Sequence, residues 1–328
     1  MAAKSSNTIN GKAFEYACLC AVKERLLHHE RPVFVSATPA FMTAKHAFES
    51  LDHHKQRKYL MAAETGLRMI SGLEPCLING DGVLELEISP DAAAVGSNGD
   101  VRDLLCIRGD KWQIGMSCKH NHAALKHPRI TEGKDFGTDW VGIPCSQIFM
   151  DEITPVIDPL MEYKRLNTPW RNVPGKIDRF YVPILTAYLH EIIRMCDRDA
   201  SIPSRLLSYF FGSHDFYKVI MGEKQETTTV EGFNMHGSLC KRCGKINPIT
   251  NISKIDMPTR LIDASFGKDR KGKISKTTII LTFDGGWSVS MRLHNKDTIA
   301  RPTSLAWDVN LIGLPPKTYV NTRSWYEE

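Results

Sequence analysis

Residues 101–119 read VRDLLCIRGDKWQIGMSCK, and no other stretch limits the fold so tightly. Two runs of strand character, VRDLLCIR (101–108) and WQIGMSCK (112–119), are separated only by GDK. Three residues are too few for a crossover and suit an antiparallel hairpin. With Arg108 facing Trp112 across that turn, pairing places Asp103 opposite Ser117 on one face. Lys119, two residues further on, shares that face. A two-residue turn would send Asp103 to the opposite face, so everything read from this hairpin depends on its register.

Around the hairpin the apolar spacing predicts a mixed α/β fold, with N-terminal helices and a β-rich C-terminal part. Residues 9–29 repeat Phe14, Ala17, Cys18, Leu19, Ala21, Val22 and Leu26 near helical period, with Asn7 and Thr8 available as caps and Pro32 as a stop. Residues 40–71 continue the pattern, and VLELEIS (83–89) alternates as a half-buried strand does. DAAAVGSNGD is read as a loop. CSQIFMDEITPVIDPLMEYKRL (145–166) is expected as helix interrupted at Pro155 and Pro159, followed by helices over 181–196 and 203–212. From about residue 213 the runs FYKVIM, PTRLIDASF, TTIILTF, WSVSMRL and LAWDVNLIGL are strand-like, and FDGGW (283–287) signals a tight turn. Two parts are therefore expected, 1–212 and 213–328.

Composition sets outer limits. The 328 residues carry 42 basic and 37 acidic side chains, a mild excess of +5 that permits an anionic partner without requiring one. Local clusters say more: HHKQRK, KHNHAALKHPR, LCKRCGK and FGKDRKGKISK each read as a solvated face or as a phosphate contact. No apolar run is long enough to cross a bilayer, and the start MAAKSSNTINGKAFEY lacks a signal-type apolar core, so a cytoplasmic protein is expected. In that compartment the nine cysteines are expected as free thiols.

On spacing alone, Asp103, Ser117 and Lys119 allow two readings. One is a surface hairpin with an ordinary Asp103–Lys119 ion pair. The other is a metal-dependent phosphodiesterase site. Asp103 would offer hard oxygens to Mg²⁺, Ser117 would hold a metal-bound water, and Lys119 would orient water and stabilise charge developing on phosphate.

The Asp103…Ser117-x-Lys119 arrangement resembles the PD-(D/E)xK nuclease signature, with Ser117 standing where that signature has its second acid. The strings SCKHNHAALKH with DFGTDW, RLHN within FDGGWSVSMRLHNKD, WDVNLIGLP, and GKAFEYACLCA at the start are similar to type II restriction endonucleases of the HaeIII-like group. The resemblance implies a PD-(D/E)xK-like core that hydrolyses double-stranded DNA at a short palindrome, GGCC for that group. It also implies Mg²⁺, replaceable by Mn²⁺, and a cognate DNA methyltransferase in the same system. By the same resemblance Asp103 is the principal metal ligand, Lys119 the water-orienting base or electrostatic group, and Glu15 the helix glutamate that joins the metal shell. Asp100 is the alternative ligand, or a loop residue beside Gly99. A palindrome suits a two-fold homodimer, with a monomer cutting the strands in turn as the alternative.

Other motifs are assigned lesser parts. His120, Asn121 and His122 are consecutive, whereas the ligands of an HNH nuclease are spread through a ββα unit. They are expected at phosphate or base edges, or as a strand cap. Lys126, Arg292, His294 and Asn295 are further candidates for DNA contact, Arg292 because arginine pairs with guanine. Cys240 and Cys243 have the spacing of half a zinc site but no second Cys-x-x-Cys, so structural zinc is not expected. The absence of a phosphate-binding glycine loop argues against an ATP-driven enzyme. A non-catalytic DNA-binding protein with a degenerate core at Ser117, an HNH nuclease and a repair-type nuclease are the competing functions.

Overall fold

Apolar residues at helical spacing build the first layer. In the computed structural model, which describes residues 6–90, 100–121, 124–269 and 271–326, helix α1 (Ser6–His28) buries Ala13, Phe14, Ala17, Cys18 and Val22. The pattern over 40–71 resolves into two helices. Helix α2 (Pro39–Glu49) opens at Thr38, whose hydroxyl accepts from the Phe41 amide; α3 (His53–Leu73) opens at Asp52, whose carboxylate accepts from the Lys55 amide. These caps satisfy amides that a helix start leaves open. A short α4 (Pro75–Asn79) follows.

A seven-stranded mixed sheet carries this layer, in the order β1-β2-β3-β4-β6-β7-β12. Its strands are β1 (Val33–Val35), β2 (Leu84–Ile88), β3 (Leu104–Arg108), β4 (Trp112–His120), β6 (Phe216–Gly222), β7 (Thr227–Phe233) and β12 (Tyr319–Ser324). β2 and β3 alternate strictly, burying Leu84, Leu86, Ile88, Leu104 and Cys106. These residues pack with Phe14, Val22, Ala62 and Leu67 in one core. Each large side chain so buried contributes roughly 1.5–3 kcal/mol.

The hairpin register is the expected one. Arg108 pairs with Trp112 and Leu104 with Met116, so Asp103 follows opposite Ser117. β4 then runs parallel to β6, with Ser117 beside Lys218 and Lys119 beside Ile220. A parallel pair needs a long crossover. Here residues 124–212 lie between the two strands in the sequence.

The chain divides into two compact units: residues 1–123, 213–255 and 317–328, and residues 124–212 with 256–316. The boundary expected at 212/213 is one of four points where the chain passes between them. The second unit holds a five-stranded antiparallel sheet in the order β5-β11-β10-β9-β8. Its strands are β5 (Ala124–Lys126), β8 (Leu261–Lys268), β9 (Ile274–Phe283), β10 (Ser288–Asn295) and β11 (Leu305–Gly313). β9 and β10 join through FDGGW, where Gly285 and Gly286 take positive φ of 69° and 90°, as such a turn requires. The second unit also holds α5 (Phe136–Val141), α6 (Gln147–Arg165), α7 (Val182–Arg198) and α8 (Ile202–Phe211).

One helix corrects the expectation from sequence. α6 runs unbroken through Pro155 and Pro159. Its buried stripe Phe149, Ile153, Ile157 and Leu160 recurs every three or four residues, so packing outweighs the hydrogen bond that each proline removes. The loop expected at DAAAVGSNGD falls almost wholly outside the described residues.

Candidate active site

The hairpin brings its polar residues together at the start of β3 and the end of β4. Asp103 Oδ2 accepts from the Cys118 amide at 2.7 Å, Lys119 Nζ at 3.0 Å and Ser117 Oγ at 3.3 Å. All described hydrogen bonds to Asp103 fall on Oδ2, which leaves Oδ1 open. Both members of the Asp103–Lys119 pair are mostly shielded, at 22% and 16% side-chain exposure. A simple surface ion pair would be far wetter.

Helix α1 supplies the second carboxylate. Glu15 is 5% exposed, and Lys12, one turn earlier, donates to its Oε2 at 3.0 Å. Burial, then the negative charge of Asp103, pushes the Glu15 pKa up to about 8. Burial works against the Lys119 ammonium, yet the charges of Asp103 and Glu15 prevail and hold it above the ordinary lysine value. Lys119 is therefore held in its charged form. Two carboxylates, two ammoniums and one hydroxyl occupy one partly sheltered place.

Two further charged residues belong to the same strand row and were not foreseen. Lys218 on β6 is adjacent in register to Ser117 and only 1% exposed; it faces Glu231 on β7 at 3.6 Å. A lysine inside the apolar run FYKVIM was the signal available in the sequence. Lys12 was equally legible, because a residue three before a helical glutamate lies over it.

The remaining candidates are placed elsewhere. Asp100 is held by the backbone and side chain of Arg102 at 2.5–3.0 Å in its own turn. His120 is buried, stacks on Tyr59 with ring centres 5.3 Å apart, and meets Glu223 at 3.0 Å. Asn121 adopts a positive φ of 58°, and its side-chain oxygen accepts from the Glu223 amide at 2.9 Å. Together they cap the ends of β4 and β6. His122 lies outside the described residues. In the second unit, Lys126 donates to the Tyr209 carbonyl at 3.0 Å and covers the Tyr209 ring. Arg292 pairs with Asp308 at 3.1 Å, and Asn295 donates to the Asp297 carbonyl at 2.6 Å. His294 is partly buried on β10. The Cys240 thiol meets Tyr217 Oη at 3.5 Å.

A model of the HaeIII restriction endonuclease family matches residues 11–315. Over 320 residues, 97% of this chain and 98% of the relative, the sequence is 35% identical to the type II restriction enzyme HaeIII of Haemophilus aegyptius. The chain belongs to the HaeIII restriction endonuclease family. No solved structure matches it.

Within this HaeIII-family chain the donor set suits a small hard cation. Asp103 Oδ1 and Glu15 Oε1 are carboxylate oxygens without described partners, and a divalent charge beside them would favour the ionised form of Glu15 that burial and Asp103 disfavour. Mg²⁺ takes one or two carboxylates and fills its remaining positions with water and phosphate oxygens. Among the described residues no cluster of three or more His, Cys, Asp or Glu forms an all-protein cage. Nor is any described helix long and apolar enough to cross a membrane.

Proposed function

We propose that this chain is a type II restriction enzyme, a site-specific deoxyribonuclease that hydrolyses both strands of DNA at a short palindrome. Family membership supports the enzyme class. The paired Asp103 and Glu15 carboxylates beside Lys119 are the observation that carries the mechanism. GGCC is the target we assign, by resemblance to the HaeIII-like group. The hairpin is read as a PD-(D/E)xK core in which Ser117 replaces the second acid.

Asp103 and Glu15 would hold Mg²⁺, or Mn²⁺ in its place. The ion, when bound, supplies Lewis acidity toward phosphate oxygens and water. Lys119, fixed by Asp103 and kept cationic, orients the attacking water and stabilises the charge that grows on the scissile phosphate. A preorganised donor of this kind contributes about 10²–10³ in rate. Lys12 offsets the Glu15 charge, and Ser117 Oγ restrains Asp103. Arg292, His294 and Asn295 are assigned to DNA contact in the β-rich part. The protein would act in the cytoplasm, as a two-fold dimer on its palindrome, alongside a methyltransferase that protects the same sites.

Ser117 favours one second reading, a core that binds DNA without cutting. Digestion of a fully sequenced plasmid with and without Mg²⁺ separates the two. Discrete Mg²⁺-dependent fragments that map to GGCC and are lost in Lys119→Ala are the expected result. Retained DNA binding with no fragments under either metal would overturn the nuclease reading.

A further inference from the structure

The five-stranded sheet of the second unit has one dry face and one wet face. Ile279 and Leu281 of β9, Val289, Met291 and Leu293 of β10, and Trp307 and Val309 of β11 are buried. Strand alternation sends Ser290, Arg292 and His294 to the opposite face, and the β10–β11 register sets Asp308 and Asn310 beside them. These are interior strands of the sheet, so the charged groups stand on its middle rather than its rim.

Arg292 lies directly opposite Asp308, with Nη2 at 3.1 Å from Oδ2, and stays 56% exposed. The other Asp308 oxygen faces His127 Nδ1 at 3.5 Å, and the His127 ring stands edge-on to His294. An ion pair this wet adds little to stability. Its physical effect is to orient the guanidinium: one end is tied down and the remaining N–H groups face outward. Part of the rotamer freedom that binding would otherwise remove is already restricted. A fixed arginine fork matches the O6 and N7 acceptors of guanine.

A second cationic group ends the same strand. Arg129 and Arg301 both reach one oxygen of Asp297 at 3.0 Å, beside Lys296. Three cations around one carboxylate leave an excess suited to phosphate. Lys296 follows the last residue of β10, four positions past Arg292.

We propose that Arg292, oriented by Asp308, reads a guanine edge in the major groove of the recognition site while Arg129 and Arg301 hold a flanking phosphate. This rests on the chain being a site-specific deoxyribonuclease. Arg292 touches the base; Asp308 is a positioning residue.

The test begins by mapping the wild-type cut site. Each guanine in a short duplex is then replaced in turn by 7-deazaguanine, which lacks the N7 acceptor, and kcat/KM is measured. At one position the wild type should lose roughly five- to a hundred-fold. Arg292→Ala should start lower on guanine and lose nothing more at that position. Asp308→Asn should shrink the guanine–deazaguanine gap, and Asp308→Glu should restore it, whereas a merely structural role would leave the gap intact. Arg129→Ala and Arg301→Ala should weaken cleavage on every duplex and flatten its salt dependence while the gap persists. An unchanged gap at every guanine in Arg292→Ala, with a wild-type melting temperature, overturns this inference alone. A wild type that yields no discrete fragments overturns the nuclease reading and this inference with it.

Discussion

Lys119 Nζ and the Cys118 backbone amide, from adjacent residues near the end of β4, donate to the same oxygen of Asp103. The carboxylate is thus held by backbone as well as by charge, and removing the lysine should leave it in place. Lys119→Ala should lower DNA cleavage by about 10²–10³ while DNA binding in Ca²⁺ stays near wild type. Cleavage within tenfold of wild type would show that Lys119 is only a partner for Asp103. Asp103→Asn should abolish cleavage, because the amide offers the metal no charge.

Ser117 allows a sharper test. Its hydroxyl lies 3.3 Å from Asp103, so Ser117→Asp places a third carboxylate in a sheltered site. Without metal the repulsion should lower the melting temperature, by about 1–3 kcal/mol in stability. With Mg²⁺ the added charge should be offset, so the Mg²⁺-induced rise in Tm should exceed that of wild type. Scanning calorimetry in EDTA and in Mg²⁺ reads both. An equal Mg²⁺ shift in the two proteins would count against a metal at this face.

The site was legible where it is local. A three-residue link fixes the hairpin register, and the register alone delivers Asp103, Ser117 and Lys119 to one place. Glu15 needed the family resemblance, because nothing within the first 30 residues says which hairpin its helix will meet. Lys218 stood out only as a lysine inside FYKVIM; that it and Glu231 join the hairpin row was not legible, because they do so only through the parallel β4–β6 pairing, with residues 124–212 between the strands in the sequence. Single-strand patterns recorded the β-rich texture after residue 213 but not its division between two sheets, since alternation describes a strand and not its neighbours. His120 and Asn121 were attractive as polar residues near a site, and their cap partner Glu223 lies a hundred residues away.

Glu15 and Asp103 should act together toward metal. Glu15→Gln keeps the shape and removes the charge, and in EDTA its stability should equal or exceed that of wild type, because a buried carboxyl is costly to ionise. Mg²⁺ should raise the wild-type Tm by mass action, about 2.7 kcal/mol at a hundred times the dissociation constant. The double variant Glu15→Gln, Asp103→Asn should show no rise. A full Mg²⁺ shift in the double variant would place the metal elsewhere.

Glu74 gives the protein a pH dependence that has nothing to do with metal. It is fully buried; Oε1 accepts from Tyr217 Oη at 2.8 Å and from the Cys240 amide at 2.6 Å, while Oε2 has no partner. Burial raises its pKa from 4.5 to about 7, against the hydrogen bonds, which favour the ionised form. The folded state thus holds this proton more tightly than the unfolded chain. Its contribution to stability is fully present below about pH 4.5 and is lost as pH rises through about 7. The loss amounts to a few kcal/mol at most, at about 1.4 kcal/mol per pH unit of difference. Glu74→Gln cannot ionise, so denaturant midpoints measured from pH 5 to pH 8 should fall less steeply in the variant than in wild type. The two curves should converge or cross toward pH 8. Parallel curves across that range would mean that Glu74 is already ionised in the folded protein at pH 5.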